Sequence, residues 1–503
     1  MRKVFVIGID GMDADFVAEH LDQMPNFRAL SERGYGGELR SVFPTDSIPA
    51  WITIFTAIPP VEHGFLDAID YFKKDHKDVA IDLSKFKGRT FWDVASDAGH
   101  QCCVVNPFMA YPPWDINGIM ASGPVFVDTE VGGKVTPESL NGRLAPPDLG
   151  GIVDFPNKEN MGDFVLESRE YTRAQHEYGL KLLDEEGPFG LYFTTYLTLD
   201  RMQHFLWRYH DDQDPTFPGP NEHQPAVLDA YLMFDDILGD YMKRAGDDTD
   251  IIVISDHGHG RRCTEVVNVN ELFRRKGWLQ VKGGNNNPFH PRRVLQQSKR
   301  TAMELLDRFD LTDYTHRIAK LIPQTRALKK ASFLVDEASN PIHAPIFAGT
   351  NPCGGVNVNR DSIGSLGMDY ETARDAVIEE LSRQVDPDDG QSLFKWVVRR
   401  EDVVGEGPAV DRFPDVLYLL ASKYGTGWDI FGDVIAVNPT HRKISGGHKV
   451  DGVLYTSFDP SSTKADDLDR PYELLDVSPM ILSRLGEERR EWMAQPLEHT
   501  VMR

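Results

Sequence analysis

Cysteine, long apolar runs and basic charge are all scarce in this 503-residue sequence. Its four cysteines, Cys102, Cys103, Cys263 and Cys353, show no C-x-x-C spacing, and the adjacent pair is awkward to bridge. That argues against a disulfide framework and for thiols in a reducing compartment. No run approaches the roughly 18 apolar residues of a membrane helix. The opening MRKVFVIGIDGM carries an apolar run only as far as Asp10, too short for the core of a secretion signal. A soluble, cytoplasmic protein without a membrane partner is expected. Lys and Arg number 54 against 78 Asp and Glu, a formal net charge of −24. Such an excess disfavours nucleic-acid and anionic-membrane binding. Phosphate substrates stay open, because a local site can invert the global sign. The chain is too long for one small domain, and 41% hydrophobic with 10% aromatic residues is too apolar for global disorder.

Several short apolar runs end in an acidic residue. Val4–Ile9 runs into Asp10, Leu191–Leu199 into Asp200 and Ile251–Ser255 into Asp256. They are rich in β-branched and aromatic residues without strict alternation, which predicts strands buried on both faces. Helical patterns intervene, as at 24–33 and 167–186. That alternation predicts a parallel α/β sheet, where ligands bind beyond the carboxyl ends of the strands. The three aspartates would then share one edge. Strand character returns at 354–359, 416–420 and 453–455. Residues 284–332 differ, with ten Lys and Arg against four Asp and Glu in mostly helical patterns, opened by a Gly- and Asn-rich turn. The predicted organisation is a mainly parallel sheet core from 1–261 and 346–503, with an inserted helical cap at 262–345. The basic cap reads as solvated surface or as a lid drawing anions inward.

Asp200 and His204 stand at i and i+4, on one face if a helix begins there, and could share a cation. Asp256 and His257 are two adjacent ligand types delivered by a strand into a glycine turn. His448 lies in a Gly-rich stretch before a strand. Ser47 precedes Pro49 and an apolar run, which suits a helix cap facing an anion site built from free N–H groups. No histidine base lies near it in sequence, so activation by a metal is the simplest route to a nucleophile.

The order of these features is more specific than any one of them. Ile7-Gly8-Ile9-Asp10-Gly11, Pro25-Asn26-Phe27-Arg28-Ala29-Leu30, Phe43-Pro44-Thr45-Asp46-Ser47-Ile48-Pro49 and His63-Gly64 are followed by four further motifs. These are Asp200-Arg201-Met202-Gln203-His204, Ser255-Asp256-His257-Gly258, Gly447-His448 and the helix start at 475–482. Together they resemble the alkaline phosphatase superfamily, and within it the type I phosphodiesterase/nucleotide pyrophosphatase family. The resemblance implies a three-layer α/β/α fold and two divalent metals. Asp200, His204 and His448 would hold one. Asp10, Asp256 and His257 would hold the other, with Ser47 as fourth ligand or bridge. Zinc suits such N/O sets with an open position, and Mn²⁺ or Fe²⁺ would accept the same ligands. It further implies that Ser47, activated by one metal, attacks phosphorus and forms a phosphoseryl intermediate. The other metal would stabilise the leaving oxygen. The sequence departs from the family pattern in having Ser for the commoner Thr, Ala50 for an Asn, and no Asn near Asp67 or Ala68. Thr45, Asp46, His63 and His259 receive no role; the two histidines read as structural.

A small phosphate ester or nucleotide is therefore the expected substrate, with hydrolysis of a phosphodiester or pyrophosphate bond as the reaction. A monoesterase, phosphonate hydrolase or sulfatase of the same superfamily is the alternative. Ala50-Trp51 in place of Ser-Arg disfavours a sulfatase. The spacing from Ser47 to Asp200 disfavours a metal-dependent phosphoglycerate mutase. The complete ligand set disfavours a non-catalytic homologue, and the want of membrane helices disfavours a headgroup transferase. No arginine adjoins Ser47, which favours a monoanionic diester over a dianionic monoester. Arg292, Arg293 or Lys299 of the cap would reverse that preference if they reach inward.

Overall fold

The computed structural model describes residues 2–66, 83–124, 132–149, 156–281, 335–349, 351–438, 440–463 and 470–495. They fall into two compact units. The first comprises Met1–Asp212, Phe217–Gly260 and His448–Pro496; the second comprises Gln213–Thr216 and Arg261–Gly447. Among the described residues no helix is long and apolar enough to cross a membrane.

The first unit is built on a nine-stranded sheet. From one edge its strands run Tyr472–Glu473, Tyr35–Arg40, Asp451–Thr456, Thr249–Ile254, Lys3–Ile9, Leu191–Tyr196, Cys102–Val105, Gly118–Ser122 and Lys134–Thr136. The central five are parallel, and Asp451–Thr456 and Lys134–Thr136 run against their neighbours. The apolar runs are continuous because the central strands are covered on both faces. Val4, Val6, Val104, Phe193 and Ile252 pack with residues of the helices Ser47–Thr56, Phe91–Asp97 and Val477–Leu485. On the alternate face Tyr192 and Tyr196 meet Tyr241 and Phe234 of the helix Ala226–Arg244, and Tyr455 meets Phe27 of the helix Pro25–Arg33. These are the three layers expected.

The second unit has its own core. Ile342–His343, Cys353–Val358, Val416–Leu420 and Phe394–Arg399 form an antiparallel sheet. Val356, Tyr418 and Leu420 pack there with Ala373, Val377 and Leu381 of the helix Tyr370–Ser382. The division is thus drawn wider than the expected 262–345. The strands at 353–358 and 416–420 pair with each other instead of extending the large sheet, because their non-local partners offer an antiparallel register and a shared apolar face. Residues 282–334, which include most of the expected helical cap with Arg292, Arg293 and Lys299, lie outside the described residues, as do Asp67 and Ala68.

Close packing between sheet and helix reaches its limit at Gly8. A Cβ there would lie 2.6 Å from Trp51 Cη2. Trp51 is fully buried, so it cannot retreat. Gly8→Ala should therefore destabilise the protein by about 1–3 kcal/mol through overpacking. The expected readout is a lower urea midpoint at unchanged slope; a wild-type midpoint would contradict this packing.

Candidate active site

Asp10 leaves the end of the first strand and is stitched to its neighbour. Its N–H donates to Tyr196 O at 2.8 Å, and its own carbonyl accepts the Asp200 N–H at 3.1 Å. Gly11 takes a left-handed φ of 71°, and a Cβ on it would sit 2.8 Å from Asp200 Cβ. A glycine is required there for the two aspartate segments to approach. Asp200 does not end a strand, as its apolar run suggested. The strand stops at Tyr196, and Asp200 is the third residue of the helix Thr198–His210. This puts Asp200 and His204 one turn apart on one face, with His204 Nε2 at 3.3 Å from Asp200 Oδ2.

Ser47 opens the helix Ser47–Thr56, but Asp46, not Ser47, is the cap: its Oδ1 accepts the Ile48 N–H at 3.1 Å. A carboxylate at this position also complements the helix dipole. The expected anion site of free amides is therefore mostly absent. Ile48 N–H is committed to Asp46, Pro49 has none, and Ala50 N–H is bonded to Asp46 O. Positive charge facing a phosphoryl group must come from elsewhere. Released from capping, Ser47 Oγ lies 3.2 Å from His257 Nε2 and 3.4 Å from Asp10 Oδ1. Trp51, one turn further along, donates its indole N–H to Asp10 Oδ2 at 2.9 Å.

Asp256 and His257 follow the strand Thr249–Ile254. Asp256 Oδ1 accepts the Gly11 N–H at 3.2 Å. Its Oδ2 is 3.3 Å from His257 Nε2 yet buried without an aligned hydrogen bond. His448 sits in a short strand of its own, Gly446–Lys449, ahead of the strand Asp451–Thr456. Its Nδ1 is 3.1 Å from Thr45 O, and His257 Nδ1 is 3.0 Å from Gly258 O. A carbonyl only accepts, so in both rings Nδ1 carries the proton and Nε2 presents a lone pair. The Nε2 of His448 then faces that of His204 at 3.1 Å.

Five of the expected ligands fall into two overlapping groups, while Asp256 belongs to neither and lies beside them, its Oδ2 3.3 Å from His257 Nε2. Asp200, His204 and His448 bring one ligand atom each to within 4.8 Å of one another, as do Asp10, Asp200 and His257. Asp200 belongs to both groups, whereas the resemblance assigns it to one. Asp10 and His257 are buried, while the side chains of Asp200, His204 and His448 keep 15%, 22% and 11% exposure. The second trio therefore forms the solvent side of the site.

The electrostatics are those of a cluster short of positive charge. Burial, then the charges of Asp256 and Asp200, push the Asp10 carboxyl well above its usual range. Burial and Asp200 do the same to Asp256. Burial opposes ionisation of Asp200 too, but the His204 and His259 imidazoles outweigh it and hold Asp200 well below the usual range. Burial, then the charge of His448, keeps His257 neutral far below its ordinary value, and burial lowers His448 as well. Neutral imidazoles with inward lone pairs, crowded carboxylates and an orphaned buried oxygen are a donor set that fits divalent cations.

His63 is tied to its own neighbourhood: its Nδ1 accepts the Phe65 N–H at 3.0 Å, and its Nε2 is 3.4 Å from Thr53 Oγ1. Three residues near the site escape a reading of the sequence. Trp51 is signalled only by its i+4 spacing from Ser47, Asp46 by its cap chemistry, and His259 by its place two residues beyond His257 on the same strand face.

The fold is shared with a protein of distant sequence. Phosphonoacetate hydrolase from Sinorhizobium meliloti 1021, solved with phosphonoacetate, matches at 15% identity and a TM-score of 0.51, covering 96% of each chain. The same enzyme with phosphonoformate matches at 14% and 0.50. Human ectonucleotide pyrophosphatase/phosphodiesterase 5 aligns at 12% identity and 0.43, over 97% of this chain and 96% of that one. No curated protein matches in sequence. The family model described as type I phosphodiesterase/nucleotide pyrophosphatase matches residues 4–421, a stretch that holds every candidate ligand except His448. The chain belongs to the type I phosphodiesterase/nucleotide pyrophosphatase family.

Proposed function

We propose that the protein hydrolyses phosphodiester or nucleotide pyrophosphate bonds with the help of two divalent metals, Ser47 being the nucleophile. The observation that carries this is the seat of Ser47 Oγ, at a helix start and within 3.4 Å of both Asp10 and His257. Asp200, His204 and His448 would hold one metal. Asp10, Asp256 and His257, with Ser47 Oγ, would hold the other; zinc, Mn²⁺ and Fe²⁺ all suit these ligands. Bound there, the metals would supply Lewis acidity toward phosphoryl oxygens and favour a deprotonated nucleophile at neutral pH.

The chain's own residues do the positioning. Asp46 and Trp51 fix the first turn that carries Ser47 and the Asp10 carboxylate beneath it. Ser47 loses its proton, and its Oγ bonds to phosphorus as the ester P–O bond breaks. The leaving oxygen takes up the proton that Ser47 released and departs as an alcohol from a diester or as a phosphate from a pyrophosphate. In-line geometry directs it away from buried Asp10 and His257, toward the partly exposed face of Asp200, His204 and His448. Water then breaks the Ser47–phosphorus bond and restores the hydroxyl. No basic residue lies between Phe43 and Phe55, and the helix start offers few free amides. A substrate phosphate with one negative charge suits that poverty better than one with two.

Ser47→Ala should reduce turnover of bis(p-nitrophenyl) phosphate to the background rate while metal binding persists; unaltered turnover would remove Ser47 from the mechanism. In a substrate panel the diester should be cleaved faster than p-nitrophenyl phosphate, phosphonoacetate or p-nitrophenyl sulfate. Fastest cleavage of the sulfate would overturn the phosphodiesterase reading. Chelator treatment should abolish hydrolysis and lower the melting temperature, since Asp10, Asp200 and Asp256 then lack counter-charge. Added Zn²⁺ or Mn²⁺ should restore both. A melting temperature indifferent to chelator and metal alike would contradict the two-metal centre.

A further inference from the structure

One buried imidazole beside the site is unused by the proposed reaction. His259 is fully buried in the strand Gly258–Arg261. Its Nδ1 lies 3.0 Å from Asp200 Oδ1. Neither ring nitrogen, nor that carboxylate oxygen, has an aligned hydrogen bond. Orphaned polar atoms this deep are costly, and these two are complementary and at bonding distance. The ring itself is wedged, edge-on to His204 with centroids 4.6 Å apart and tilted against Trp207 at 6.1 Å.

The backbone around His259 is arranged to hold it. A Cβ on Gly258 would lie 2.6 Å from Asp13 Oδ2, and one on Gly260 would lie 2.8 Å from Lys449 Cδ. Bare glycines on that face let Asp13 and Lys449 lie against the strand, while His257 and His259 alternate to the site. Asp13 Oδ2 accepts the His259 N–H at 3.2 Å. Lys449 Nζ reaches Asp13 Oδ1 and Oδ2 at 3.0 and 2.9 Å, and Lys449 directly follows His448. One ion pair thus ties the His259 backbone to the segment bearing His448.

We propose that His259 is a positioning residue that orients the Asp200 carboxylate through Nδ1, with the Asp13–Lys449 pair as its clamp. Asp200 would hold one metal in the reading above and borders the other candidate cluster as well, so its orientation bears directly on metal binding. This inference rests on the metal reading above, and its test separates the two. The full-length chain, stripped of metal, is titrated with Zn²⁺ against a chromophoric chelator, and the melting temperature of each metal-free protein is recorded. His259→Leu should weaken zinc binding by about 10–100-fold, the usual cost of losing a residue that orients a ligand, with little change in the metal-free melting temperature. His259→Asn, whose amide N–H stands where the Nδ1–H does, should recover most of the affinity. Wild-type zinc binding unaffected by either variant overturns this inference alone. So does a loss equal in both variants that follows a lowered metal-free melting temperature, which marks a role in folding. A wild-type chain that binds no zinc overturns the metal reading and this inference with it.

Discussion

Three carboxylates share one largely buried cluster, and their mutual repulsion is the constraint on which the site depends. Asp10, Asp200 and Asp256 cannot all ionise in a poorly solvated space without cations. Left to themselves they divide the strain: Asp200 stays ionised against His204 and His259, while Asp10 and Asp256 are driven toward the protonated form. The imidazoles do not relieve this, because burial keeps His257 and His448 neutral. With a Ser47 alkoxide the site would carry four negative charges, matched by two divalent ions. The overall acidity of the chain is thus a poor guide to what its pocket offers an anion.

The scaffold makes that crowding affordable. Parallel strands deliver Asp10 and Asp256 to one edge of the sheet, and the turn after Tyr196 brings Asp200 to the same place. Close approach is bought with side-chain volume: Gly8 admits Trp51, and Gly11 admits Asp200. Trp51 then links the apolar layer to the chemistry, since the indole that fills the space over Gly8 also donates to Asp10. The first unit's core is therefore continuous with its site. The second unit closes its own core.

Legibility in the sequence followed how local each feature is. The strands that carry Asp10 and Asp256 could be read because two-sided burial leaves an unbroken apolar run. Asp200 was harder, because Leu197–Leu199 suits a strand end and a helix start equally, and only hydrogen bonding decides where one stops. Around Ser47 two adjacent residues were competent caps, and the carboxylate of Asp46 prevailed over the Ser47 hydroxyl. The strands at 353–358 and 416–420 were visible as strands, but their allegiance to a separate sheet depends on pairing across about 60 residues of chain, which no window shows. The residues gathered at the candidate site were legible through the order of their motifs, whereas His259 looked like any solitary histidine until Asp200 stood beside it.

The most direct test of the two-metal, Ser47-centred site is the metal content of active, full-length protein, measured by elemental analysis against chain concentration. Two divalent ions per chain are expected, falling in Asp200→Asn, since Asp200 faces both clusters. Full diesterase activity in protein carrying no divalent ion would contradict it.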